Sequence, residues 1–219
     1  MRIRLDWFGE KLAQRLADLE AGRITPAVPR DAATVMLLRP AGTGAGVEVL
    51  MLRRVAAMKF APGAYVFPGG SVDPADHNAP VGWHGPDPAE FGARLGASAE
   101  MARALVCAAV RETFEEAGVL LAGAPDGGPV ADPSGPSWEA DRAALVAGDV
   151  TLAELMSRRG LVLRADLLVP WARWITPEGE PRRFDARFFA AAVPAGQLAT
   201  AHAAESDRIA WLRPADAIE

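Results

Sequence analysis

The stretch Arg111-Glu112-Thr113-Phe114-Glu115-Glu116-Ala117-Gly118 places three glutamates in the last two turns of a predicted helix. Residues three and four apart on a helix share a face, so Glu112, Glu115 and Glu116 point broadly the same way. Each exposed pair of like charges costs about 0.2–0.5 kcal/mol, and the helix dipole disfavours each acid at this end by about 0.3–1 kcal/mol. The acids are therefore expected to serve a purpose other than helix stability.

A hard divalent cation is the purpose that the pattern favours. Mg²⁺ prefers oxygen ligands and is usually held by a few carboxylates, waters and substrate phosphates. Three glutamates alone more often form a solvated acidic face. Five specified residues (Arg, Glu, Glu, Glu and Gly) at this spacing, however, recur by chance at about one start position in a million. We therefore prefer metal binding to the solvated face.

The helix that carries the acids is predicted to span residues 99–117, with Ser98 as its N-cap and Gly118 as the residue that ends it. Apolar runs on either side predict strands, and Thr151-Leu-Ala-Glu154 has the capping-box pattern that opens a helix. The predicted strands are residues 32–38, 47–52, 65–67, 119–121, 167–175, 184–193 and 207–212, and the predicted short helices are 138–147 and 152–159. Strands around one central helix indicate a single α/β or α+β domain.

The chain is expected to divide after its first 30 residues. Residues 1–30 read as an amphipathic helix, carrying Trp7 and Phe8, followed by a linker. Residues 31–219 form the predicted domain. Within it, the Pro/Gly-rich segment 71–97 is predicted to be a loop, and residues 124–160 a helical insertion.

Charge and cysteine content exclude several classes of protein. The formal charge of −5 and the pI near 5.3 argue against nucleic-acid binding, because no basic stripe can neutralise phosphates. One cysteine excludes an intramolecular disulfide and suits a reducing compartment. No signal peptide or membrane-spanning run is found in the sequence. The expectation is a soluble cytoplasmic protein with no nucleic-acid or membrane partner.

Histidines and tryptophans are weaker candidates for function. His77, His84 and His202 lack metal-ligand spacing and are expected to be ordinary loop residues. Trp174 and Trp211 are expected to pack within strands. Trp83, in segment 71–97, is the better candidate for contact with a substrate.

Residues 111–119 resemble the second half of the Nudix box, Arg-Glu-apolar-any-Glu-Glu-any-Gly-apolar, and Phe67-Pro68-Gly69-Gly70 resembles its first half. The resemblance implies a Nudix α/β/α sandwich, with a mixed sheet around the catalytic helix. In this family the glycine turn supplies a backbone carbonyl to the metal, which maps onto Gly69. Close backbone approach requires glycine, so residue type and implied role agree.

The chain departs from the family pattern in three places. The family spaces the second glycine and the arginine by 14 positions, whereas Gly70 and Arg111 are 41 apart, which leaves 27 extra residues. The family usually has an early glutamate eight positions before the arginine, and in this chain that position is Arg103. Thr113 stands where an apolar residue is common. The interrupted box resembles the branch that contains the peroxisomal coenzyme A diphosphatase of animals.

The resemblance implies roles for particular residues. The implied ligands of Mg²⁺, with Mn²⁺ as an alternative ion, are Glu112, Glu115, Glu116, the Gly69 carbonyl and Glu205. The implied catalytic residues are Glu112, Glu115 and Arg111. The candidates for substrate binding are Arg53, Arg54, Gly70, Arg182 and Trp83.

Two functions remain open at this point. The first is a metal-dependent hydrolase that cleaves the diphosphate linkage of a small nucleotide-containing substrate, with coenzyme A or acyl-coenzyme A as a candidate. The alternative is a catalytically silent Nudix-like module that binds or senses a nucleotide. Retention of Glu112, Glu115 and Glu116 favours the hydrolase. The resemblance is compatible with a homodimer.

Overall fold

The structure is a computed structural model that describes residues 10–42, 44, 46–56, 63–77, 80–202 and 206–217, with the backbone alone for residues 10–12. These residues form six α-helices and ten β-strands. In chain order they are α1 (Glu10–Glu20), β1 (Arg30–Pro40), β2 (Val47–Arg54), β3 (Tyr65–Val66), β4 (Gly69–Ser71), α2 (Pro74–His77), β5 (Gly82–His84), α3 (Pro88–Leu95), α4 (Ala99–Ala117), β6 (Ala122–Gly123), α5 (Pro136–Ala147), α6 (Leu152–Arg159), β7 (Val162–Arg164), β8 (Val169–Ile175), β9 (Phe184–Ala192) and β10 (Ser206–Leu212).

Seven of the strands form one mixed sheet, whose main path has the order β10-β2-β1-β9-β8. β1 runs parallel to β9, and the other neighbours on this path are antiparallel. Two short strands complete the sheet, since β3 pairs with β2 and β4 pairs with β1. A mixed sheet packed against a long helix confirms the predicted α/β fold. The three remaining strands form a small sheet of order β5-β7-β6.

The core lies between the large sheet and α4. Ala33, Val35 and Leu37 alternate along β1 and are fully buried, in one cluster with residues of α4 such as Leu105 and Phe114. Burying each large apolar side chain contributes about 1.5–3 kcal/mol. This packing fixes α4, and with it the glutamates near its end, against β1 and β4.

The helix predicted over 99–117 is confirmed as α4. Ser98 accepts a hydrogen bond at Oγ from the backbone N–H of Met101 (3.1 Å), and Gly118 ends the helix with φ of 66°. The two short helices are also confirmed as α5 and α6. Thr151 and Glu154 form the predicted reciprocal capping box at the start of α6.

The prediction of a loop over 71–97 is wrong, because α2, β5 and α3 lie within it. Several of the residues that suggested a loop cap helices instead. Asp87 accepts a hydrogen bond from the N–H of Ala89 (2.8 Å), Pro88 occupies the first turn of α3, and Gly96 ends that helix with φ of 63°. The glycine turn predicted at residues 69–70 is likewise strand β4, paired with β1.

The strand predicted over 119–121 is also wrong. These residues are fully buried, but the strand in this region is β6, which begins at Ala122. Gln197 takes the place of a neighbouring strand, since its amide accepts from the N–H of Leu120 (2.8 Å) and donates to the Leu120 carbonyl (3.0 Å). A side chain thus satisfies the backbone that a strand partner would otherwise satisfy. The strand predicted from residue 167 starts at Val169, after a 3₁₀ turn over Ala165–Leu167.

The amino-terminal prediction is tested only in part. Helix α1 spans Glu10–Glu20, whereas Trp7 and Phe8 lie outside the described residues. The division of the chain after residue 30 remains a prediction. Within the described ranges, the helices are too short or too polar to cross a membrane.

Candidate active site

Arg111 connects the acids of α4 to the segment that follows β4. Its Nη1 donates to Glu112 Oε1 (2.8 Å) and to Glu115 Oε2 (3.2 Å). Its Nη2 donates to the carbonyl of Ser71 (3.0 Å) and to Asp76 Oδ2 (3.0 Å). The guanidinium therefore orients two of the three glutamates and ties them to residues about 40 positions away in the chain.

Asp76 is a site residue that the sequence analysis missed. Its carboxylate is 3% exposed and pairs with Arg111, while it also accepts from the N–H of Asp73 (2.8 Å). In the family pattern the arginine is 14 positions after the second glycine, and the early glutamate is eight positions before the arginine. The glutamate is therefore 14 − 8 = 6 positions after that glycine. Six positions after Gly70 is Asp76. Counting forward from the glycine would have found it, because the extra residues follow Asp76.

Arg103, which the backward count selected, has a different role. It donates to the carbonyl of Val81 (2.8 Å) and its guanidinium lies over the ring of Trp83, 5.3 Å from the centroid. Trp83 in turn donates to the carbonyl of Pro86 (2.7 Å) and meets Phe91 edge to face. Arg103 and Trp83 therefore hold the extra residues of the box against α4.

The two glycines of β4 allow the strand to lie directly against its neighbours. A Cβ on Gly70 would overlap the carboxylate of Glu112, and one on Gly69 would overlap the backbone of β1. The N–H of Gly69 donates to Glu116 Oε2 (2.9 Å), so the third glutamate is also anchored. The role predicted for the Gly69 carbonyl as a metal ligand stays a prediction.

The site is rich in carboxylates. Arg111 pairs with those of Asp76, Glu112 and Glu115, and the carboxylate of Glu116 accepts from the Gly69 N–H. Burial raises the pKa of Glu115 to about 7, with Arg111 opposing the rise and the charges of Glu112 and Asp76 adding to it. Within the described residues, no three acidic, histidine or cysteine side chains are spaced to hold a metal ion as they stand. The donor chemistry nevertheless fits a hard cation, which prefers carboxylate oxygens as ligands.

This raised pKa predicts how stability depends on pH when divalent metal is removed with EDTA. A carboxyl whose folded-state pKa exceeds its unfolded value destabilises the fold as it ionises. The contribution of Glu115 is therefore complete below about pH 4.5 and is lost as the pH rises through about 7. We expect the unfolding temperature to fall more steeply across this window in the wild type than in Glu115→Gln. Calorimetry at several pH values would measure both slopes, and equal slopes would contradict the assignment.

Two cavities adjoin the glutamates. Glu112, Glu115, Glu116, Val146 and His202 line one of about 70 Å³. A larger one of about 370 Å³ lies between Asp73, Asp76, Arg111 and Glu115 on one side and residues 145–153, at the junction of α5 and α6, on the other. The segment that contains Asp73 and Asp76 and the helices α5 and α6 thus both border the acids.

His202 is a second residue that sequence analysis did not assign to the site. Its loop lies against the end of α4. Thr200 donates its N–H to the carbonyl of Ala117 (2.8 Å), and His202 donates its N–H to the carbonyl of Glu116 (3.2 Å). No spacing in the sequence pairs residue 202 with residue 116, so only the fold reveals the contact. Glu205, the predicted further ligand, lies outside the described residues.

Arg142 of the helical insertion holds this loop and α4 together. The residue is 4% exposed, and its Nε donates to the carbonyl of Glu115 (3.0 Å). Nη1 and Nη2 donate to the hydroxyl and the carbonyl of Thr200, each at 2.9 Å. Carbonyls at a helix end lack partners within the helix, and a cation there also favours the helix dipole. The helical insertion therefore stabilises the end of α4 on which the acids stand.

Most of the predicted substrate-binding residues lie elsewhere. Arg53 forms a bidentate pair with Asp207 (2.7 and 3.0 Å), Arg54 has a buried Nε without a partner among the described residues, and Arg182 is exposed between β8 and β9. None of these three arginines, nor Trp83, lines the two cavities in the part of the chain that the structure describes. Gly70 of this set lies against Glu112.

The two tryptophans expected to pack in strands differ. Trp211 on β10 is half-buried, with the guanidinium of Arg39 4.2 Å from its ring centroid, which agrees with the expectation. For Trp174 the expectation is wrong, because this residue is 63% exposed. Its strand β8 is the last of the main path of the sheet, so one of its sides has no neighbouring strand.

Comparisons with known proteins were made by family, by sequence and by structure. No family model matches the chain. It is 33% identical over 175 residues to putative nudix hydrolase 7 of Caenorhabditis elegans, covering 78% of this chain and 48% of that protein. It is 31% identical over 211 residues to the acyl-coenzyme A diphosphatase NUDT19 of Homo sapiens, covering 80% and 55%. The chain thus spans about half the length of the curated relatives that it matches.

Among solved structures, the chain resembles the crystal structure of a NUDIX hydrolase from Alicyclobacillus acidocaldarius. The sequences are 33% identical and the TM-score is 0.70. The match covers 87% of this chain and 81% of that one.

Proposed function

Because this chain belongs to the Nudix hydrolase family, we propose that it is a metal-dependent hydrolase that cleaves the diphosphate linkage of a nucleotide-containing substrate. The observation that carries this proposal is the arrangement of three glutamates around Arg111 and the Gly69 N–H. Carboxylate oxygens grouped in this way are the ligands that a hard divalent cation prefers. The acids are all retained, which favours the hydrolase over the catalytically silent binding module.

Glu115 and Glu116 are the proposed main ligands of Mg²⁺ or Mn²⁺, with Glu112 as a further ligand or as the base. The Gly69 carbonyl and Glu205 complete the proposed set. A divalent cation bound here would polarise a phosphoryl oxygen and lower the pKa of an attacking water.

The chain's own residues supply position and proton transfer. Arg111 keeps Glu112 and Glu115 at fixed places, and Asp76 keeps Arg111 at its own. Burial raises the pKa of Glu115 in the metal-free site, whereas a bound cation would favour the ionised form that binds metal. In the proposed reaction water attacks one phosphorus in line with the departing phosphate, and Glu112 accepts the proton.

For the substrate we propose coenzyme A or acyl-coenzyme A. Support comes from the human and chicken relatives that are named acyl-coenzyme A diphosphatases. The cavity of about 370 Å³ beside Glu115 provides room for one arm of such a molecule, with Val146 and Val150 on its wall. The products would be a phosphopantetheine and an adenosine bisphosphate. The net charge and the single cysteine support a small-molecule substrate and a reducing compartment such as the cytoplasm.

Turnover of a substrate panel tests the proposal. The panel contains coenzyme A, an acyl-coenzyme A, NADH, ADP-ribose, a diadenosine polyphosphate and a sugar nucleotide, each with Mg²⁺ and with EDTA. We expect cleavage that requires Mg²⁺ and is fastest for the coenzyme A compounds. Cleavage of a compound from another class would overturn the proposed substrate but not the proposed hydrolase activity. Tight binding of one compound without any turnover would overturn the hydrolase and support the binding module.

A further inference from the structure

A pocket of about 220 Å³ lies at the edge of the large sheet, between the end of α3 and strands β8 and β9. It shares no described lining residue with the two cavities beside the glutamates. Its wall contains three arginines and an exposed tryptophan, and the full lining is Arg94, Leu95, Pro170, Trp171, Ala172, Arg173 and Arg187. Three arginines and an exposed tryptophan are an unusual lining for a surface depression, and this combination needs a physical explanation.

Positive charge exceeds negative charge around this pocket. Arg173 forms a bidentate pair with Asp185 (2.8 and 2.7 Å), and Arg187 pairs with Asp31 (2.7 Å) and Asp185 (2.9 Å). The two carboxylates are not among the lining residues, so the described wall presents guanidinium groups alone as charged groups. Arg94 is exposed at the pocket and forms no ion pair with a described residue. Three guanidinium groups therefore line the pocket, and within the described residues Arg94 is the one of them that is free to pair with an anionic ligand.

Arg187 is the least expected member of the group. Its side chain is 4% exposed, and burying a guanidinium is costly unless its donors are satisfied. Its ion pairs are made by Nη1, whereas Nε is buried and has no partner among the described residues. Asp31 and Asp185 thus hold this buried guanidinium in a fixed place at the pocket wall.

Trp171 adds a planar apolar surface at the same pocket. It stands at an irregularity of β8, where the pairing with β9 shifts between Pro170 and Ala172, and it is 70% exposed. Bulges of this kind re-aim a side chain and often occur beside binding sites. An exposed indole beside arginines suits a ligand that has both a flat ring and a phosphate, because rings stack on indole and guanidinium forks match phosphate oxygens.

We propose that this pocket is a second ligand site, which binds the phosphate group of a nucleotide whose base stacks on Trp171. The proposal goes beyond the hydrolase activity, because it needs neither the glutamates nor a metal ion. The nucleotide could be a separate ligand or the far end of the substrate itself, and the two sources share this chemistry.

Calorimetric titration in EDTA tests the site without turnover. The probes are AMP, inorganic phosphate and adenosine, added to the full chain. We expect AMP to bind, with affinity lowered on the order of tenfold in Arg94→Gln. Trp171→Leu is expected to lower the affinity for AMP several-fold and to leave the affinity for inorganic phosphate unchanged. Both residues are exposed, so the variants should fold.

Matched controls separate this site from general effects. Arg208→Gln and Trp174→Leu also remove an exposed arginine and an exposed tryptophan, and they should bind AMP as the wild type does. Glu115→Gln should also bind AMP normally. Absence of AMP binding at 10 mM, on the order of the weakest useful affinity, would overturn the proposal. Loss of binding in Glu115→Gln instead of Arg94→Gln would overturn it as well, by placing AMP at the glutamates.

A kinetic measurement then identifies the source of the nucleotide. If the pocket binds the far end of the substrate, Arg94→Gln should raise KM several-fold and leave kcat unchanged. If it binds a separate nucleotide, KM without added AMP should equal that of the wild type. The titration in EDTA decides whether the site exists, and this measurement assigns its ligand. Failure of the hydrolase proposal would leave the EDTA titration unaffected, so the two proposals can fail separately.

Discussion

Replacing Glu115 with glutamine is expected to lower kcat by at least about a hundredfold while the protein remains folded. Glutamine has nearly the same shape, so the packing around Arg111 and the adjoining cavities is preserved. It removes one negative charge from the proposed metal ligands and one group that titrates near neutral pH. Steady-state kinetics at saturating Mg²⁺ would measure the loss, and circular dichroism would verify the fold.

Glu100→Gln is the matched control for this variant. Glu100 is an exposed acid at the opposite end of the same helix, and its replacement should leave kcat within about twofold of the wild type, because surface changes of this kind have small effects. Turnover by Glu115→Gln at the wild-type rate would show that this glutamate has no part in the reaction. The metal-binding role proposed for α4 would then have to rest on Glu112 and Glu116.

Replacing Arg111 with alanine is expected to cause the largest loss of stability, about 3–5 kcal/mol. The reason is Asp76, whose carboxylate is 3% exposed and would be left buried without its cationic partner. Glu112 and Glu115 would lose a partner at the same time. Denaturant unfolding would measure the change in the free energy of unfolding, and activity should fall together with stability.

Arg158→Ala is the control for the loss of an arginine from an ion pair. Arg158 is 52% exposed and shares its partner Asp141 with Arg159, so its removal should cost less than about 1 kcal/mol. The double variant Asp76→Ala/Arg111→Ala removes both partners and should recover part of the stability lost in the single variant. A single variant as stable as Arg158→Ala would contradict the importance of the Arg111–Asp76 pair.

The parts of this molecule that follow from local signals were predictable from sequence. Ser98 and Gly118 mark the start and the end of α4. They are predictable because an N-cap acceptor and a residue with positive φ act within one turn of the helix end. Thr151 and Glu154 act in the same way on α6. The spacing of the glutamates on one helix also needs no tertiary information. These predictions depend only on neighbours in the chain.

The parts that depend on distant residues were not predictable in this way. His202 meets the end of α4 only because the loop before β10 returns to it. Gln197 replaces a strand partner of Leu120 from 77 positions away. The prolines and glycines of segment 71–97 indicated a loop because composition does not distinguish a cap from a turn. Asp76 is an intermediate case, since its position follows from the family spacing only when the count starts at Gly70.

The hydrogen bonds of Arg142 to α4 and to Thr200 have a consequence for how the site forms during folding. Arg142 joins the Glu115 carbonyl of α4, 27 positions before it, to Thr200, 58 positions after it. Arg111 joins α4 to residues 35 to 40 positions earlier. Contacts between such distant parts form only after long loops have closed, and therefore late in folding. A refolding chain should therefore regain its helical content before the proposed metal site is assembled. Under this proposal a partly folded chain would not bind the cation.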